Sequence, residues 1–470
     1  MSKYSKLIKD AAIFGIGNFT TKLIYFFLMP IYTIALSTED FGIADLLNNS
    51  LQLIIPILTI SISDAVFRFS LDKDISHKEL LANGLKTLSF SYIVAVLFIG
   101  IAIAIKLESF WYIFAILYIT ESLKSLFAQF TRGLGKVKEY AINGIIAAVV
   151  LLICTYVFLK VFYWGINGYL LAFVCANLCS TLYLMYGVEV RKYIDLRCAN
   201  KTLLKSMITF SLPLTPNMLS WWITNISSRY IIAYFSGFAL SGLFAAASKI
   251  PALINIISSI FQLSWQFASV KEYQESNKSD FYTVVLKYYH LIIVIFGSVI
   301  ISLIPFISKF ILKGDFYEAW IYTPLLLFSA MLGCYSVFLG TFYSVVKENK
   351  KAMNTTFIGA GANLLLCLAS IPFIGVMGAL IANVISYVLV VILRWRDCLD
   401  YVSLTIKPKN IIFALGIVLV QSFLMMRQGL CRNIAYFIPI IFVIFYWHDL
   451  YCLYIYIRTS INNKRLNTHE

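Results

Sequence analysis

Apolar stretches of about 20 residues follow one another along almost the whole chain, separated by short polar segments. A helix that crosses a bilayer needs about 20 predominantly apolar residues. The stretches are continuous and do not alternate, which is typical of membrane helices and not of membrane strands. We therefore expect an all-α polytopic membrane protein whose fourteen spans lie at residues 10–36, 43–68, 83–105, 110–131, 139–163, 165–188, 205–235, 239–268, 285–312, 318–345, 353–374, 376–396, 409–427 and 433–457.

Composition and charge support this class and orient the chain. Hydrophobic residues make up 60% of the sequence and charged residues 13%, whereas soluble domains contain about 25% charged residues. The formal net charge is +15, but the cations are sorted by loop and form no basic patch, so we expect no nucleic-acid binding. Because cytoplasmic loops carry an excess of Lys and Arg, both termini are predicted to be cytoplasmic. The outer loops then hold Lys106, Lys160, Lys309, Lys313, Arg427 and Arg432.

A weak internal repeat relates the two halves of the sequence. When the chain is shifted by about 200 residues, Gly42 falls on Gly242, each near the start of a long helix with many polar residues. Six spans per repeat return the chain to its starting side, so the two repeats are predicted to be parallel. We predict an N-terminal lobe at residues 1–200, a C-terminal lobe at 201–400, and two extra helices with a cytoplasmic tail at 401–470.

Polar residues inside the spans recur every three or four positions along the first two helices of each repeat. An ionised side chain at mid-bilayer costs at least about 2.5–3.5 kcal/mol, so it normally faces a cavity or a partner. For a single Ser or Thr, hydrogen bonding between helices is the favoured explanation. The larger pattern predicts one central cavity between the lobes, lined by Lys22, Arg229, Lys249, Asn18, Asn49, Gln52, Tyr25, Trp221, Trp222, Asn225 and Asn255.

Two further pairs of opposite charge have helical spacing. Glu121 and Lys124 are three residues apart and can pair locally, and the sequence leaves open whether they are structural or line the cavity. Asp64 and Arg68 are four residues apart near the cytoplasmic end of the second span, which favours a structural or gating pair.

Signatures of catalysis are missing from the sequence. It contains no phosphate-binding G-x-x-x-x-G-K-[ST] motif and no H-E-x-x-H motif. The four histidines are scattered, and most of the nine cysteines fall inside spans, where Cys usually behaves as a small hydrophobic residue. We expect no catalytic residues, no metal site, no disulfide framework and no ATP-driven motor within this chain.

Three short segments, taken together with the fourteen predicted spans, indicate one family. They are KDAAIFGIGN at 9–18, TEDFG at 38–42 and FSLPLTP at 210–216. Over nearly its whole length the chain resembles the polysaccharide and O-antigen flippases of the multidrug/oligosaccharidyl-lipid/polysaccharide exporter superfamily. The resemblance implies two six-helix lobes around a central cavity. It also implies that an undecaprenyl-diphosphate-linked oligosaccharide moves by alternating access from the inner to the outer leaflet of a bacterial cytoplasmic membrane, for O-antigen or another surface polysaccharide.

The resemblance also suggests roles for individual residues. In related lipid II flippases, cations on helices 1, 2 and 8 contact the diphosphate, and the nearest positions here are Lys22, Arg68 and Lys249, with Arg229 as an addition from span 7. Lys stands where the family usually has Arg. No cofactor is expected. Asp45, Asp64 and Glu121 are the carboxylates that could carry H⁺ or Na⁺ if transport is coupled to an ion gradient, and the sequence does not choose between them. A polysaccharide polymerase and a chain-length regulator are the implied protein partners.

Three alternatives remain open. A cation-coupled multidrug exporter of the same superfamily would share the fold, but organic cations call for an acidic cavity, and Lys22, Arg229 and Lys249 argue against one. A membrane polysaccharide polymerase or ligase would be an enzyme, but such proteins resemble one another in having a large external loop, and all outer loops here are short. A structural scaffold for glycan export would tolerate loss of the cavity charges.

Overall fold

The computed structural model describes residues 3–72, 74–273, 278–346, 348–404, 408–452 and 455. These residues form α-helices with a few short π- and 3₁₀-helical segments, and they contain no strand. Ten helices are long and apolar enough to cross a membrane, and a bent pair of helices would make an eleventh span. The predicted all-α, multi-pass class is confirmed, and the number fourteen stays a prediction.

The helices of the first half cover the apolar stretches, and some of these stretches are divided between two helices. Their bounds are α1 Lys3–Ala35, α2 Thr38–Thr59, α3 Ile62–Phe69, α4 His77–Ala104, α5 Ser109–Gly133, α6 Val137–Thr155, α7 Gly165–Leu182, α8 Lys201–Ser211, α9 Leu214–Ser236 and α10 Phe238–Ala247. Wide π-helical turns continue α6 and α7 at Tyr156–Val161 and Tyr183–Gly187. Two short 3₁₀ turns, Val190–Tyr193 and Leu196–Cys198, precede α8.

The second half continues with seven more helices among the described residues. Their bounds are α11 Ala252–Glu272, α12 Lys278–Ile311, α13 Thr323–Val345, α14 Asn349–Ile374, α15 Val376–Tyr401, α16 Pro408–Met426 and α17 Leu430–Phe445. A 3₁₀ segment, Gly314–Tyr322, leads into α13.

The chain divides into two compact units by its internal contacts. The first unit contains the described residues up to Ala246 together with Phe310–Glu318 and Ala360–Ala379. A hydrophobic core lies where α3, α4, α5 and α8 meet, and includes Ile62, Leu80, Leu126, Phe130 and Met207. The second unit contains the remaining described residues. The units are groups of residues that contact one another, and they do not correspond to sequence repeats. The predicted lobes at residues 1–200 and 201–400 therefore stay a prediction.

Within the second unit, α13 is the most deeply buried helix. The Trp265 and Phe338 rings of α11 and α13 stack with centroids 4.5 Å apart and an angle of 9°. Gln421 of α16 is fully buried, and its amide nitrogen Nε2 donates to the Ser298 and Ala435 carbonyl oxygens of α12 and α17 at 3.0 and 3.1 Å. An amide that satisfies several helices at once is a common means of holding membrane helices together.

A strained break divides the second predicted span into α2 and α3. Ile60 and Ser61 both adopt left-handed backbone conformations, with φ of 51° and 50°. A β-branched residue such as Ile rarely takes this conformation, and such strain persists only where the surrounding structure holds it. No Gly stands at this point of the sequence, so the break was not predicted.

Prolines account for two other breaks. Pro213 and Pro216 predict an interruption of the seventh predicted span, and α8 and α9 are separated at Leu212 and Pro213. The eighth predicted span is broken next to Pro251, where α10 and α11 meet at an angle of 46°. Lys249 lies in this second break.

Candidate functional site

A buried carboxylate of α2 and a mostly buried guanidinium of α9 form an ion pair within the first unit. The Arg229 guanidinium lies 2.5 Å from the Asp45 carboxylate, and the two side chains are 13% and 3% exposed. Asp45 is on the buried face of α2, and Arg229 reaches it from a helix 184 residues later in the chain. Because both charged groups have lost water on burial, the attraction between them offsets part of the cost of that desolvation.

An amide and an indole extend the contact along α2. Asn49 Nδ2 donates to the Asp45 carboxylate at 2.8 Å and to the Asp45 carbonyl oxygen at 2.7 Å. Trp222 Nε1 of α9 donates to the Asn49 carbonyl oxygen at 3.0 Å. Gln52 Nε2 donates to Asn49 Oδ1 at 3.3 Å, which continues the chain of hydrogen bonds into the C-terminal half of α2. The structure therefore brings together five of the residues predicted for the cavity or for ion coupling.

Two further residues of this interface were not predicted. The Tyr230 hydroxyl of α9 donates to the Leu46 carbonyl oxygen at 2.8 Å and lies 2.7 Å from Ser50 Oγ. The Tyr230 and Trp222 rings are 5.0 Å apart. Ser50 and Tyr230 are each adjacent in sequence to a predicted residue, and that neighbourhood is the only sequence signal for them. We call Asp45, Asn49, Ser50, Trp222, Arg229 and Tyr230 the α2–α9 contact.

Two glycines allow the starts of α2 and α10 to touch. A Cβ atom placed on Gly42 would overlap the Phe238 carbonyl oxygen, and one placed on Gly242 would overlap the Thr38 carbonyl oxygen. Each would also lie 3.0 Å from the backbone nitrogen of the other glycine. Because Gly42 and Thr38 are each 200 residues before their counterparts Gly242 and Phe238, the contact is reciprocal. A two-fold relation between the two segments produces this geometry.

Arg68 is part of a different and more exposed pair. Its guanidinium donates to Asp72 at 2.8 Å, and the two side chains are 51% and 43% exposed. The predicted pairing of Arg68 with Asp64 is wrong. Asp64 interacts electrostatically with Arg132, whose guanidinium lies 4.3 Å from the Phe67 ring centre. The reason is that Arg68 lies at the end of α3, where the following turn brings Asp72 within reach.

Replacing Arg68 by Ala should change the free energy of unfolding by less than about 1 kcal/mol, because exposed ion pairs contribute little. Thermal unfolding of the purified protein in detergent would measure this. Asp72→Asn serves as the matched control, because it breaks the same pair from the other side. A large loss of stability in both variants would contradict a purely superficial pair.

Glu121 and Lys124 form a second polar group inside the first unit. Lys124 Nζ lies 2.8 Å from the Glu121 carboxylate and donates to Asn177 Oδ1 of α7 at 2.9 Å. The Lys124 and Glu121 side chains are 20% and 30% exposed. The pair that the spacing allowed is therefore present, and it also joins α5 to α7.

The remaining predicted residues lie elsewhere. Lys22 and Tyr25 of α1 have exposed side chains, as has Asn225 of α9. The side chains of Asn18 and Trp221 are outside those that the structure describes. Lys249 and Asn255 belong to the second unit, where Lys249 is half-buried and Asn255 Oδ1 lies 3.9 Å from Cys334 Sγ.

No group of three or more His, Cys, Asp or Glu residues in the described ranges could hold a metal ion. Two of the ion pairs of the first unit, Asp45–Arg229 and Glu121–Lys124, lie within membrane helices. Such an arrangement is suited to binding and releasing charged groups.

Comparisons with known proteins agree with this fold. A structure of the lipid II flippase MurJ in an inward closed conformation is similar with a TM-score of 0.71 at 14% identity, over 93% of this chain and 99% of that chain. An inward-facing multidrug resistance MATE family transporter of the MOP superfamily gives a TM-score of 0.64 at 14% identity, over 81% and 95%. A MOP superfamily transporter from Pyrococcus furiosus, reported with a binding pocket of reverse polarity, gives 0.57 at 14% identity, over 84% and 95%.

Sequence comparison gives a family directly. No curated protein matches the chain. The family model described as polysaccharide biosynthesis protein matches residues 7–265, which include most of α1, the α2–α9 contact and most of α11. Because this match covers more than half of the sequence, the chain belongs to the family of polysaccharide biosynthesis proteins, and it has the fold of the MOP-superfamily transporters and flippases.

Proposed function

We propose that this protein flips an undecaprenyl-diphosphate-linked oligosaccharide from the inner to the outer leaflet of a bacterial cytoplasmic membrane. The observation that carries the proposal is the family match over residues 7–265. The similarity in fold to a lipid II flippase over 93% of the chain supports it. The oligosaccharide would then serve O-antigen or another surface polysaccharide, and a polymerase and a chain-length regulator would act on it after transfer.

The chemistry of the substrate suits the cations of the membrane helices. A diphosphate is anionic, and Lys and Arg are its usual ligands in proteins. Lys22 is the strongest candidate, because it lies within apolar α1 and its side chain is exposed. Lys249 in the break between α10 and α11 is a second candidate, since interrupted membrane helices often contribute to transporter binding sites. The lipid tail would stay in the bilayer, and the sugars would contact amides and aromatic rings.

Arg229 has a different role in this proposal. Asp45 neutralises it in the present conformation, so it becomes available to a phosphate only if α2 and α9 separate. Alternating access requires such a separation at one end of the protein. The strained break at Ile60 and Ser61 would let α2 move without α3. We therefore propose that the α2–α9 contact is a closure contact, and that its opening exposes Arg229.

Coupling to an ion gradient belongs to the same proposal. Of the three carboxylates suggested by the sequence, Asp45 is 3% exposed and bound to Arg229. Glu121 is 30% exposed and its partner Lys124 is itself partly exposed. Glu121 is therefore more accessible to H⁺ or Na⁺ than Asp45 is.

A multidrug exporter is the second candidate, because MATE transporters have the same fold with TM-scores up to 0.64. Exporters of organic cations need acidic groups in the binding site, whereas Lys22 is a cation. Cells that express the protein would distinguish the two functions. Lower drug accumulation with unchanged surface glycan would favour the exporter.

Lys22→Ala should reduce surface glycan by at least about tenfold, because a hydrogen bond to a charged group contributes about 1.5–3 kcal/mol. Glycan would be measured on gels from cells that lack their own flippase, and protein levels by immunoblot. Lys22→Arg should keep most of the activity. Lys86→Ala is the matched control, since Lys86 is an exposed lysine on membrane helix α4. Normal glycan in Lys22→Ala would contradict the assignment of Lys22 to the substrate.

A further inference from the structure

An open pocket lies where the starts of α5 and α7 meet. It has a volume of about 410 Å³, is open on one side, and is lined by Ile113, Tyr163, Trp164, Asn167 and Leu171. None of these residues belongs to the α2–α9 contact or to the cations considered above. Small-molecule sites typically occupy about 300–1,000 Å³ and combine apolar walls with a few polar groups. The pocket is therefore large enough for one sugar ring.

A stack of three aromatic rings fixes one wall of the pocket. The wide π-helical turn after α6 brings the Phe158 and Phe162 rings parallel, 6.4 Å apart. The Trp164 indole stacks on both, at 5.1 and 4.9 Å and at angles of 23° and 25°. The same indole lines the pocket. A ring held in this way presents its surface without losing conformational freedom when a ligand binds, which favours affinity.

Tyr163 is held in an unusual conformation at the mouth of the pocket. Its φ is 55°, in the left-handed region, and its side chain is 78% exposed. Residues other than glycine are uncommon in this region, and bulky residues are rare there. Strain of this kind is concentrated at binding and switch sites, and here it places an amphipathic ring beside the Trp164 indole.

Asn167 supplies a polar group at the same place. Its Nδ2 donates to Ser109 Oγ at 2.8 Å. Its Oδ1 is buried, and among the described residues it accepts no hydrogen bond. A buried acceptor without a donor is unfavourable, so a ligand hydroxyl that donates to Asn167 Oδ1 would remove a cost that the protein alone carries.

We propose that this pocket binds a pyranose ring of the transported oligosaccharide. The apolar face of the sugar would lie on Trp164, and one hydroxyl would donate to Asn167 Oδ1. The start of α7 is on the side that the charge distribution predicts to be outside, where the oligosaccharide arrives after transfer. The claim that the bound sugar belongs to the transported oligosaccharide rests on the proposed function. The claim that the pocket binds a carbohydrate does not rest on it.

Membrane proteins also carry Trp and Tyr at the bilayer surface, where these rings anchor the helices. Anchoring would explain exposed aromatic rings at this level. It does not call for a pocket, or for a buried acceptor inside it. Tyr234 at the end of α9 is 83% exposed and lies beside Phe235, 4.9 Å away. It is a suitable control for an anchoring role.

The test uses the full-length protein in lipid nanodiscs and saturation-transfer NMR with methyl pyranosides of the common hexoses and N-acetylhexosamines. At least one pyranoside should receive saturation from the protein. Its affinity should fall about tenfold in Trp164→Ala and clearly in Asn167→Leu, while Trp164→Phe keeps most of the binding and Tyr234→Ala all of it. Absence of transfer from every pyranoside would overturn the proposal, as would equal losses in Trp164→Ala and Tyr234→Ala.

Surface glycan in cells separates this proposal from the proposed function. Trp164→Ala should lower glycan display at normal protein levels, and normal display would overturn the claim that the bound sugar is the transported one. If no pyranoside binds while Lys22→Ala still abolishes display, the pocket proposal fails and the flippase function stands. If pyranosides bind at Trp164 while Lys22→Ala has normal display, the pocket stands and the assignment of Lys22 fails.

Discussion

Arg229→Ala is expected to lower the free energy of unfolding by about 3–5 kcal/mol, because it leaves a buried carboxylate without its cation. The Asp45 side chain is only 3% exposed, so water cannot replace the guanidinium. Thermal unfolding of purified protein and protein levels in membranes would both report the loss. From the sequence alone we expect Arg229→Ala to remove activity and leave protein levels intact, and the ion pair changes that expectation.

A double variant tests the reason for this effect. Asp45→Ala together with Arg229→Ala removes both charges, and it should be clearly more stable than Arg229→Ala alone. Such a coupling between two positions is what a double-mutant cycle measures. Independent, additive losses would contradict a direct ion pair. The double variant should still display little surface glycan if Arg229 takes part in transport after the helices separate.

Gly42→Ala and Gly242→Ala should each destabilise the protein and abolish most glycan display. The new Cβ would overlap a backbone carbonyl oxygen of the facing helix, Phe238 in one case and Thr38 in the other. A backbone atom cannot move aside as a flexible side chain can, so the helices must separate. Overpacking of this kind typically costs about 1–3 kcal/mol. Thermal unfolding and surface glycan are the two measurements.

Two other glycines give matched controls. A Cβ atom added to Gly100 in α4 or to Gly361 in α14 would meet no atom of a neighbouring helix within 4 Å. Alanine at either position should be neutral, or should stabilise the helix by about 0.5–1 kcal/mol. If Gly42→Ala behaves like Gly100→Ala, the starts of α2 and α10 are not in contact during the transport cycle.

The class of this fold is predicted well from the sequence, because crossing a bilayer imposes a local rule on every helix. Each apolar stretch must satisfy its own backbone hydrogen bonds, so helices can be found without tertiary information. The break before α9 is also local, since Pro213 lacks the N–H that would continue α8. The break at Ile60 is different. No residue type there favours a left-handed backbone, so only tertiary packing accounts for it.

The candidate site could be predicted in part. Helical spacing places Asp45 and Asn49 on one face of α2, and it places Trp222 and Arg229 on one face of α9. Spacing within a helix says nothing of contacts between helices, so the partnership of Asp45 with Arg229 was missed. The predicted pairing of Arg68 with Asp64 was wrong for a related reason. The partner of Arg68, Asp72, lies beyond the end of α3, where helical periodicity no longer applies.

The reciprocal touch of Gly42 and Gly242 has an evolutionary consequence. In a symmetric dimer of a half-length ancestor, the two subunits would have made contact through the same surface patch. One glycine codon would then have encoded the contact residue of both subunits. If the two halves arose from such an ancestor by duplication and fusion, the same steric demand now falls on two codons that mutate separately. Each would then be kept as glycine by the other, so the two positions should resist drift more strongly than the helices that carry them.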